Sequence, residues 1–339
     1  MRGGRVLFLG FEGPRLSGDE RAILQRVRPA GLTLVPRNIE DGEQLRELVA
    51  DLRRLCPDAI LALDAEGGRV DRLRGVVAPA PAASWLAGRP PRVAQAAGRW
   101  VGASLRCFDF DLALAPVVDL DRGLVGNALD GRCFGRSPRA VTARAAAFLR
   151  GLHTSGVGAC LKHFPGLGGA GLDTHERPTW IALTRRELAR DLAPFVAIAP
   201  RADAVMASHA VYPALDSAAL PATLSRALAH ALLHGRMRYR GALLTDDLEM
   251  GALAPHGDLA ERGEAALAAG CDGLLFCRRL EESPRIARRL ARRGARHRLD
   301  EATRRLARLR RELGARRRRA PEPPPLELLR RRLESLAAG

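Results

Sequence analysis

Short apolar runs alternate along the chain with longer stretches in which apolar residues recur at helical spacing, the pattern of parallel strands joined by crossover helices. Eight runs of strand size can be read: Val6 to Phe11, Leu32 to Val35, Ala59 to Leu63, Asp111 to Ala115, Gly158 to Lys162, Ala204 to Ala207, Ala242 to Thr245 and Gly273 to Phe276. Helical periodicity fills the intervals, over Gly18 to Val27, Asp41 to Leu55, Pro91 to Leu105, Pro138 to His153, Arg185 to Ala199, Ser225 to Arg236 and Leu259 to Ala269. Eight βα units predict an α/β fold, a (β/α)8 barrel of TIM type, as a single catalytic domain over residues 1–295. A doubly wound open sheet would carry a G-x-G-x-x-G turn after its first strand, and Gly10-Phe11-Glu12-Gly13 does not supply one. After Arg293 the pattern becomes arginine-rich helix, followed by Arg316 to Arg319 and the stiff run Pro321-Glu322-Pro323-Pro324-Pro325. Residues 296–339 are therefore expected to form a helical C-terminal extension, with a last short helix from Leu326 to Leu336.

With 339 residues, 47% of them hydrophobic and 27% charged, the chain can fill one barrel-sized core, which excludes a disulfide-stapled mini-protein and wholesale disorder. Its 55 cations against 38 carboxylates leave a formal charge of +17. Lys162 is the one lysine, so 55 − 1 = 54 of the cations are arginine, scattered over helix positions and concentrated near the C-terminus. That distribution reads as compositional bias more than as a phosphate-binding surface, and no specific nucleic-acid partner is expected. Purely apolar stretches are strand-sized, short of the roughly 20 residues of a membrane span, so no membrane partner is expected. At the start, Arg5 to Phe11 runs straight into Glu12 and Gly13 without the apolar length and cleavage site of a secretory signal, and a cytoplasmic protein is expected. Cys56, Cys107, Cys133, Cys160, Cys271 and Cys277 form no CxxC pair and no ligand-like spacing, which predicts reduced thiols.

In such a barrel, polar residues at the C-terminal ends of strands point into the active site. Strand three ends in Asp64-Ala65-Glu66-Gly67-Gly68-Arg69-Val70, strand four in Pro116 with Asp119 close by, and strand five in Lys162-His163-Phe164-Pro165-Gly166. Strand six ends in Ser208-His209 and strand seven in Thr245-Asp246-Asp247. One such residue alone is as readily a helix cap, whereas five groups in register are harder to dismiss. Asp246 follows the apolar Ala242-Leu243-Leu244, which places a carboxylate at the barrel mouth, where it can attack an anomeric carbon. The segment from Lys162 to His175 holds a proline and several glycines, cannot be regular helix, and ends in Asp173-Thr174-His175. An Asp two residues before a His can bond one ring nitrogen and raise the basicity of the other, making a general acid/base near neutral pH.

The strings Leu161-Lys162-His163-Phe164-Pro165-Gly166, Asp173-Thr174-His175, Asp64-Ala65-Glu66-Gly67-Gly68-Arg69-Val70-Asp71-Arg72 and Thr245-Asp246-Asp247-Leu248-Glu249-Met250 closely resemble the single-domain β-N-acetylglucosaminidases of glycoside hydrolase family 3. The resemblance runs from about Gly10 to about Cys277 and includes Arg37-Asn38, Gly131-Arg132-Cys133-Phe134-Gly135 and Leu267-Ala268-Ala269-Gly270-Cys271-Asp272. It implies a retaining β-N-acetylhexosaminidase that hydrolyses terminal β-linked N-acetylglucosamine, with Asp246 as nucleophile, His175 as acid/base and Asp173 orienting it. By the same resemblance Asp64, Arg72, Arg132, Lys162 and His163 would hold the sugar hydroxyls and N-acetyl group, and His209 is grouped with them. No metal and no organic cofactor are implied. The implied substrate is a muropeptide fragment of cell-wall recycling in the cytoplasm, and a monomer is the default for a single barrel. Three positions depart from the family pattern: Leu167 replaces the second histidine of Lys-His-Phe-Pro-Gly-His-Gly, Ala65 a glutamine, and Cys133 a serine. Leu167 removes a polar group beside the loop that carries Asp173 and His175.

Other readings stay open at this stage. A histidine in place of a carboxylic acid as proton carrier repels an anion less, so transfer to phosphate instead of water is a variant. His163, His175 and His209 with Asp246 admit a metal-dependent barrel hydrolase, although the first strand lacks the His-x-His such barrels use. Lys162 admits a Schiff base. A non-catalytic arginine-rich binding protein would leave the strand-end residues unexplained.

Overall fold

The computed structural model describes residues 1–124, 127–171, 177–292 and 296–338. Eight parallel strands close a barrel in chain order: β1 (Leu7–Leu9), β2 (Gly31–Leu34), β3 (Ile60–Leu63), β4 (Leu112–Ala113), β5 (Gly158–Phe164), β6 (Ala204–Ala207), β7 (Ala242–Asp247) and β8 (Gly273–Phe276). The seam is sealed by β1 against β8, in the register Leu7↔Leu274, Phe8↔Leu275 and Leu9↔Phe276. Above it, Arg37 donates from Nε to the Phe11 carbonyl at 3.0 Å and from Nη2 to the Cys277 carbonyl, which ties the mouth ends of both strands together. The expected (β/α)8 architecture is the one observed.

Around the barrel run α1 (Gly18–Val27), α2 (Gly42–Leu55), α3 (Pro91–Cys107), α4 (Pro138–Thr154), α5 (Arg185–Ile198), a π-helical stretch (Ala227–Arg236), α6 (Leu259–Ala269) and α7 (Ser283–Leu290). Several start where the chain supplies a capping box, as in Ser17 with Glu20, Thr184 with Glu187 and Asp258 with Glu261. Helices α3 and α4 touch backbone to backbone: a Cβ on Gly98 would stand 2.1 Å from the Phe148 carbonyl oxygen, and one on Gly151 2.2 Å from that of Gln95. Two strands outrun their sequence-based limits. β5 continues through Lys162 and His163 to Phe164, and β7 through Asp246 to Asp247. Hydrophobic periodicity loses a strand where its residues become polar, whereas the ladder persists because those side chains find partners in the barrel mouth.

The long helix α8 (Arg296–Arg319) crosses the opposite end of the barrel and buries Leu299, Ala302, Leu306, Leu309 and Leu313 in the main core. A final helix, α9 (Leu326–Ala338), adds Leu329 and Leu333 to that core beside α3. Three aspartates that precede strands hold this end together. Asp111, Asp203 and Asp272 each accept the backbone N–H of a neighbouring strand, from Leu61, Ala159 and Leu243, all at 2.9 Å. Each is met from outside: Asp111 by Arg53 at 2.8 Å, Asp203 by Arg316 at 2.5 Å and the His153 ring at 2.7 Å, Asp272 by Arg298 at 2.6 Å and Arg305 at 3.1 Å. Part of the C-terminal arginine concentration thus serves buried carboxylates of the barrel. All six cysteines are unpaired, and burial raises their thiols, Cys56 to about 11. Among the described residues no helix is long and apolar enough to cross a membrane.

Because Leu306 of α8 is 3% exposed within the shared core, Leu306→Ala should destabilise the whole barrel by roughly 2–5 kcal/mol. Urea unfolding monitored by far-UV circular dichroism measures this. A shift confined to a separate early transition would show that α8 is not part of the core.

Candidate active site

The segment following β3 folds back on itself. Ala65–Gly67 pairs antiparallel with Val70–Asp71, and Gly67 sits at φ +89° in the turn, where a Cβ would lie 2.2 Å from the Pro81 carbonyl oxygen. Asp71 braces the exit, its carboxylate accepting the N–H groups of Leu73 at 3.2 Å and Ala80 at 3.0 Å. The hairpin returns Arg72 to Asp64, Nη2 to Oδ2 3.4 Å. It also puts Asp64 and Glu66, two residues apart in an extended segment, beside the same cation.

That cation is Lys162, 3% exposed near the end of β5. Its Nζ donates to Asp64 Oδ1 at 2.7 Å and lies 2.6 Å from Glu66 Oε1. Arg132 completes the pairing with a bidentate grip on Glu66, at 2.8 and 2.7 Å, and its Nη2 is 3.4 Å from His163 Nε2. Burial by itself would raise both carboxyls, but Lys162 and Arg132 hold Glu66 at about 2, and Lys162 and Arg72 keep Asp64 below the usual range. Burial would likewise lower Lys162, and Asp64 and Glu66 outweigh it, so the ammonium is held charged. A charged amine is no Schiff-base nucleophile, and this pairing removes the ground for that reading.

His163 is fixed by Asp119, which is fully buried after β4. Its Nδ1 is 2.7 Å from Asp119 Oδ2, and the other carboxylate oxygen accepts the Leu167 backbone N–H at 2.7 Å. One carboxylate therefore anchors both His163 and the backbone at Leu167. The Leu167 side chain turns away into a separate apolar cluster with Val117, Leu188 and Tyr212. Ala65 and Cys133 are buried too, and none of the three departures lines the cavity.

Asp246 stands at the end of β7, its Oδ1 accepting the Asp247 N–H at 2.9 Å. It opens into one cavity of about 590 Å³ at the barrel mouth, shared with Asp64, Arg72, Arg132, Lys162 and His163. Val35, Val70, Met206 and Leu275 supply apolar wall, and Arg37, Arg69 and Arg278 add further cations. His209 is buried and does not line the cavity; its Nδ1 is 2.8 Å from Thr223 Oγ1 and its Nε2 2.9 Å from the Asp247 carbonyl oxygen, which can only accept. His209 thereby supports the strand end that carries Asp246. Asp247 itself is pushed up to about 7 by burial and by the nearby Glu249 and Asp246. Asp173 and His175 lie outside the described residues. Sequence reasoning placed Glu66 and Asp119 in the strand-end groups but gave neither a role in the site. Glu66 carried one usable signal, its place two residues after Asp64 on the same side of an extended segment.

A mouth cavity whose walls alternate carboxylate acceptors with guanidinium, ammonium and imidazole donors suits a polyhydroxylated ligand, and with the barrel defines a carbohydrate-active enzyme. The model of the Glycosyl hydrolase family 3 N terminal domain matches residues 5–309. A beta-hexosaminidase of Pseudomonas aeruginosa is 39% identical over 283 residues, 82% of this chain and 83% of its own. One from Methylococcus capsulatus is 40% identical over 304 residues, 87% of this chain and 88% of its own. Among solved structures, NagZ from Neisseria gonorrhoeae in complex with N-trifluoroacetyl-D-glucosamine superposes with a TM-score of 0.78 at 29% identity, covering 99% of this chain and 98% of that one. The chain belongs to glycoside hydrolase family 3 and is a glycosidase.

Glu66 has a folded value of about 2 against an ordinary 4.5, so its stabilising contribution is complete above 4.5 and is lost as the pH falls through about 2. Glu66→Gln should cost roughly 3 kcal/mol at pH 7 by leaving a buried cation underpaired, and the gap to wild type should narrow in that acid window. Denaturant titrations at pH 7, 4 and 3 test it; a gap independent of pH would contradict the ion pairing. Asp247 has the opposite sign. Its folded value of about 7 lies above the ordinary 3.8, so wild type loses stability as the pH rises between the two. Asp247→Asn keeps an oxygen for the Glu249 and Cys277 N–H groups and should gain on wild type across that interval, then level off. Thermal midpoints at pH 5 and pH 8 compare the two.

Proposed function

We propose that this protein is a retaining β-N-acetylhexosaminidase that removes terminal β-linked N-acetylglucosamine. The observation that carries the reading is the shared cavity, in which the Asp246 carboxylate faces the same space as Asp64, Arg72, Arg132, Lys162 and His163. In this reading Asp246 attacks the anomeric carbon as the glycosidic bond breaks, and His175, oriented by Asp173, passes a proton to the departing oxygen. Water then gives its proton to His175 and attacks the glycosyl-aspartate ester, which frees Asp246 and restores the β configuration. Asp64, held ionised by Lys162, accepts from sugar hydroxyls, while Arg72, Arg132 and Lys162 donate to them and to the acetamido oxygen. His209 acts on Asp246 through the Asp247 backbone.

The choice of sugar is supported by the beta-hexosaminidases of P. aeruginosa and M. capsulatus and by the N-trifluoroacetyl-D-glucosamine in the N. gonorrhoeae structure. Arg37, Arg69 and Arg278 around the cavity favour an acidic aglycone, which supports muropeptide fragments as the natural substrate and cell-wall recycling in the cytoplasm as the setting.

Release of nitrophenol from the β-N-acetylglucosaminide and the β-glucoside tests the proposal. Wild type should turn over only the first. Asp246→Ala should lose on the order of 10³-fold or more in kcat, and His175→Ala about 10²–10⁴-fold. A folded wild type inactive on both substrates would sink the assignment. In phosphate buffer, N-acetylglucosamine 1-phosphate as the main product would replace hydrolysis by phosphorolysis.

A further inference from the structure

At the end of the barrel opposite the sugar cavity, beneath β6 and β7, lies a second cavity of about 350 Å³. Its walls come from the end of α5, from the segment Met237 to Gly241 that leads into β7, and from α8. Six arginines line it, Arg201, Arg238, Arg240, Arg305, Arg308 and Arg316, against two carboxylates, Asp203 and Glu312. Both carboxylates are already engaged, Asp203 by Arg316 at 2.5 Å and Glu312 by Arg308 at 2.7 Å. Arg305 is held by Asp272 at 3.1 Å and Glu301 at 2.6 Å. Arg201 donates to the Ala197 carbonyl at 3.1 Å, and among the described residues no carboxylate pairs with Arg201, Arg238 or Arg240. Three guanidinium groups therefore share a cavity without a carboxylate of the described residues paired to them.

The segment carrying two of them is built rigidly. The Tyr239 N–H donates to the Leu233 carbonyl at 3.1 Å, His234 Nδ1 lies 3.0 Å from the Tyr239 carbonyl oxygen, and the buried Tyr239 ring stacks on His234. Arg238 is held at φ +54°, in the left-handed region that residues with a side chain rarely occupy. Arg238 and Arg240 thus flank a buried anchor, and both side chains are exposed. We propose that this cavity binds a small, multiply charged phosphorylated anion. Guanidinium forks match phosphate oxygens two at a time, several unpaired cations call for more than one negative charge, and the volume is that of a small-molecule site. Met237, Pro200 and Leu309 give the non-ionic part of such a ligand an apolar wall.

The probe is inorganic triphosphate, titrated calorimetrically into the full chain at physiological ionic strength. Wild type should bind one equivalent and its thermal midpoint should rise with ligand. Arg238→Gln/Arg240→Gln should weaken binding by about tenfold or more while hexosaminide turnover stays at the wild-type rate. Arg92→Gln/Arg331→Gln removes the same charge from exposed positions elsewhere and should leave binding unchanged. The proposal is overturned if wild type does not bind, or if both double variants lose affinity equally, which would mean diffuse attraction to a +17 surface. It also fails if a single-stranded oligonucleotide binds more tightly than triphosphate and is affected equally by both pairs.

Discussion

A charge enclosed in a closed barrel has to be matched from within reach of its own side chain, and this requirement shapes both ends of the molecule. At the mouth, Lys162 is buried with Asp64 and Glu66, and Arg132 takes up the rest of Glu66. At the other end, Asp111, Asp203 and Asp272 satisfy strand N–H groups and are themselves paired with arginines from the helices. Leaving any of these unpaired would cost several kcal/mol, a large fraction of a domain's net stability. The networks therefore fix where strands, hairpin and helices can sit relative to one another.

At the mouth the same requirement prepares the chemistry. Because Lys162 is buried between two carboxylates, Asp64 is held ionised and in place by the chain's own cations. Asp119 extends the arrangement by holding His163 with one oxygen and the Leu167 backbone with the other. The segment that follows Leu167 thus starts from a point fixed by the same carboxylate that holds His163. The leucine at 167 is compatible with this anchoring because the contact is made by its backbone, while the side chain fills an apolar cluster beneath.

The opposite end shows why the arginine excess resists a single explanation. Arg298, Arg305 and Arg316 serve buried aspartates, and Arg308 pairs along its own helix with Glu312. Among the described residues, Arg201, Arg238 and Arg240 on the adjoining segments have no such carboxylate partner, and they line a cavity. Composition sums these roles into one number, +17, and hides the division between cations that pair with carboxylates of the barrel and cations that do not.

The barrel was legible in the sequence because its signal is local: apolar runs in strands and helical periodicity between them depend only on nearby positions. The strand-end motifs were legible for the same reason, since a strand places its last residues at the mouth whatever the rest of the chain does. Where β5 and β7 end was not, because polar residues stay in a ladder only when distant partners receive them. Nor were the pairings of Lys162 with Glu66, Asp119 with His163, and Arg316 with Asp203, which join residues from 44 to 113 positions apart. Sequence by itself determined which elements form and which strand ends carry polar side chains. Only the tertiary structure decided which charges meet, and so which are held ionised and which are free to act, because pairing inside a low-dielectric barrel is set by distance in space.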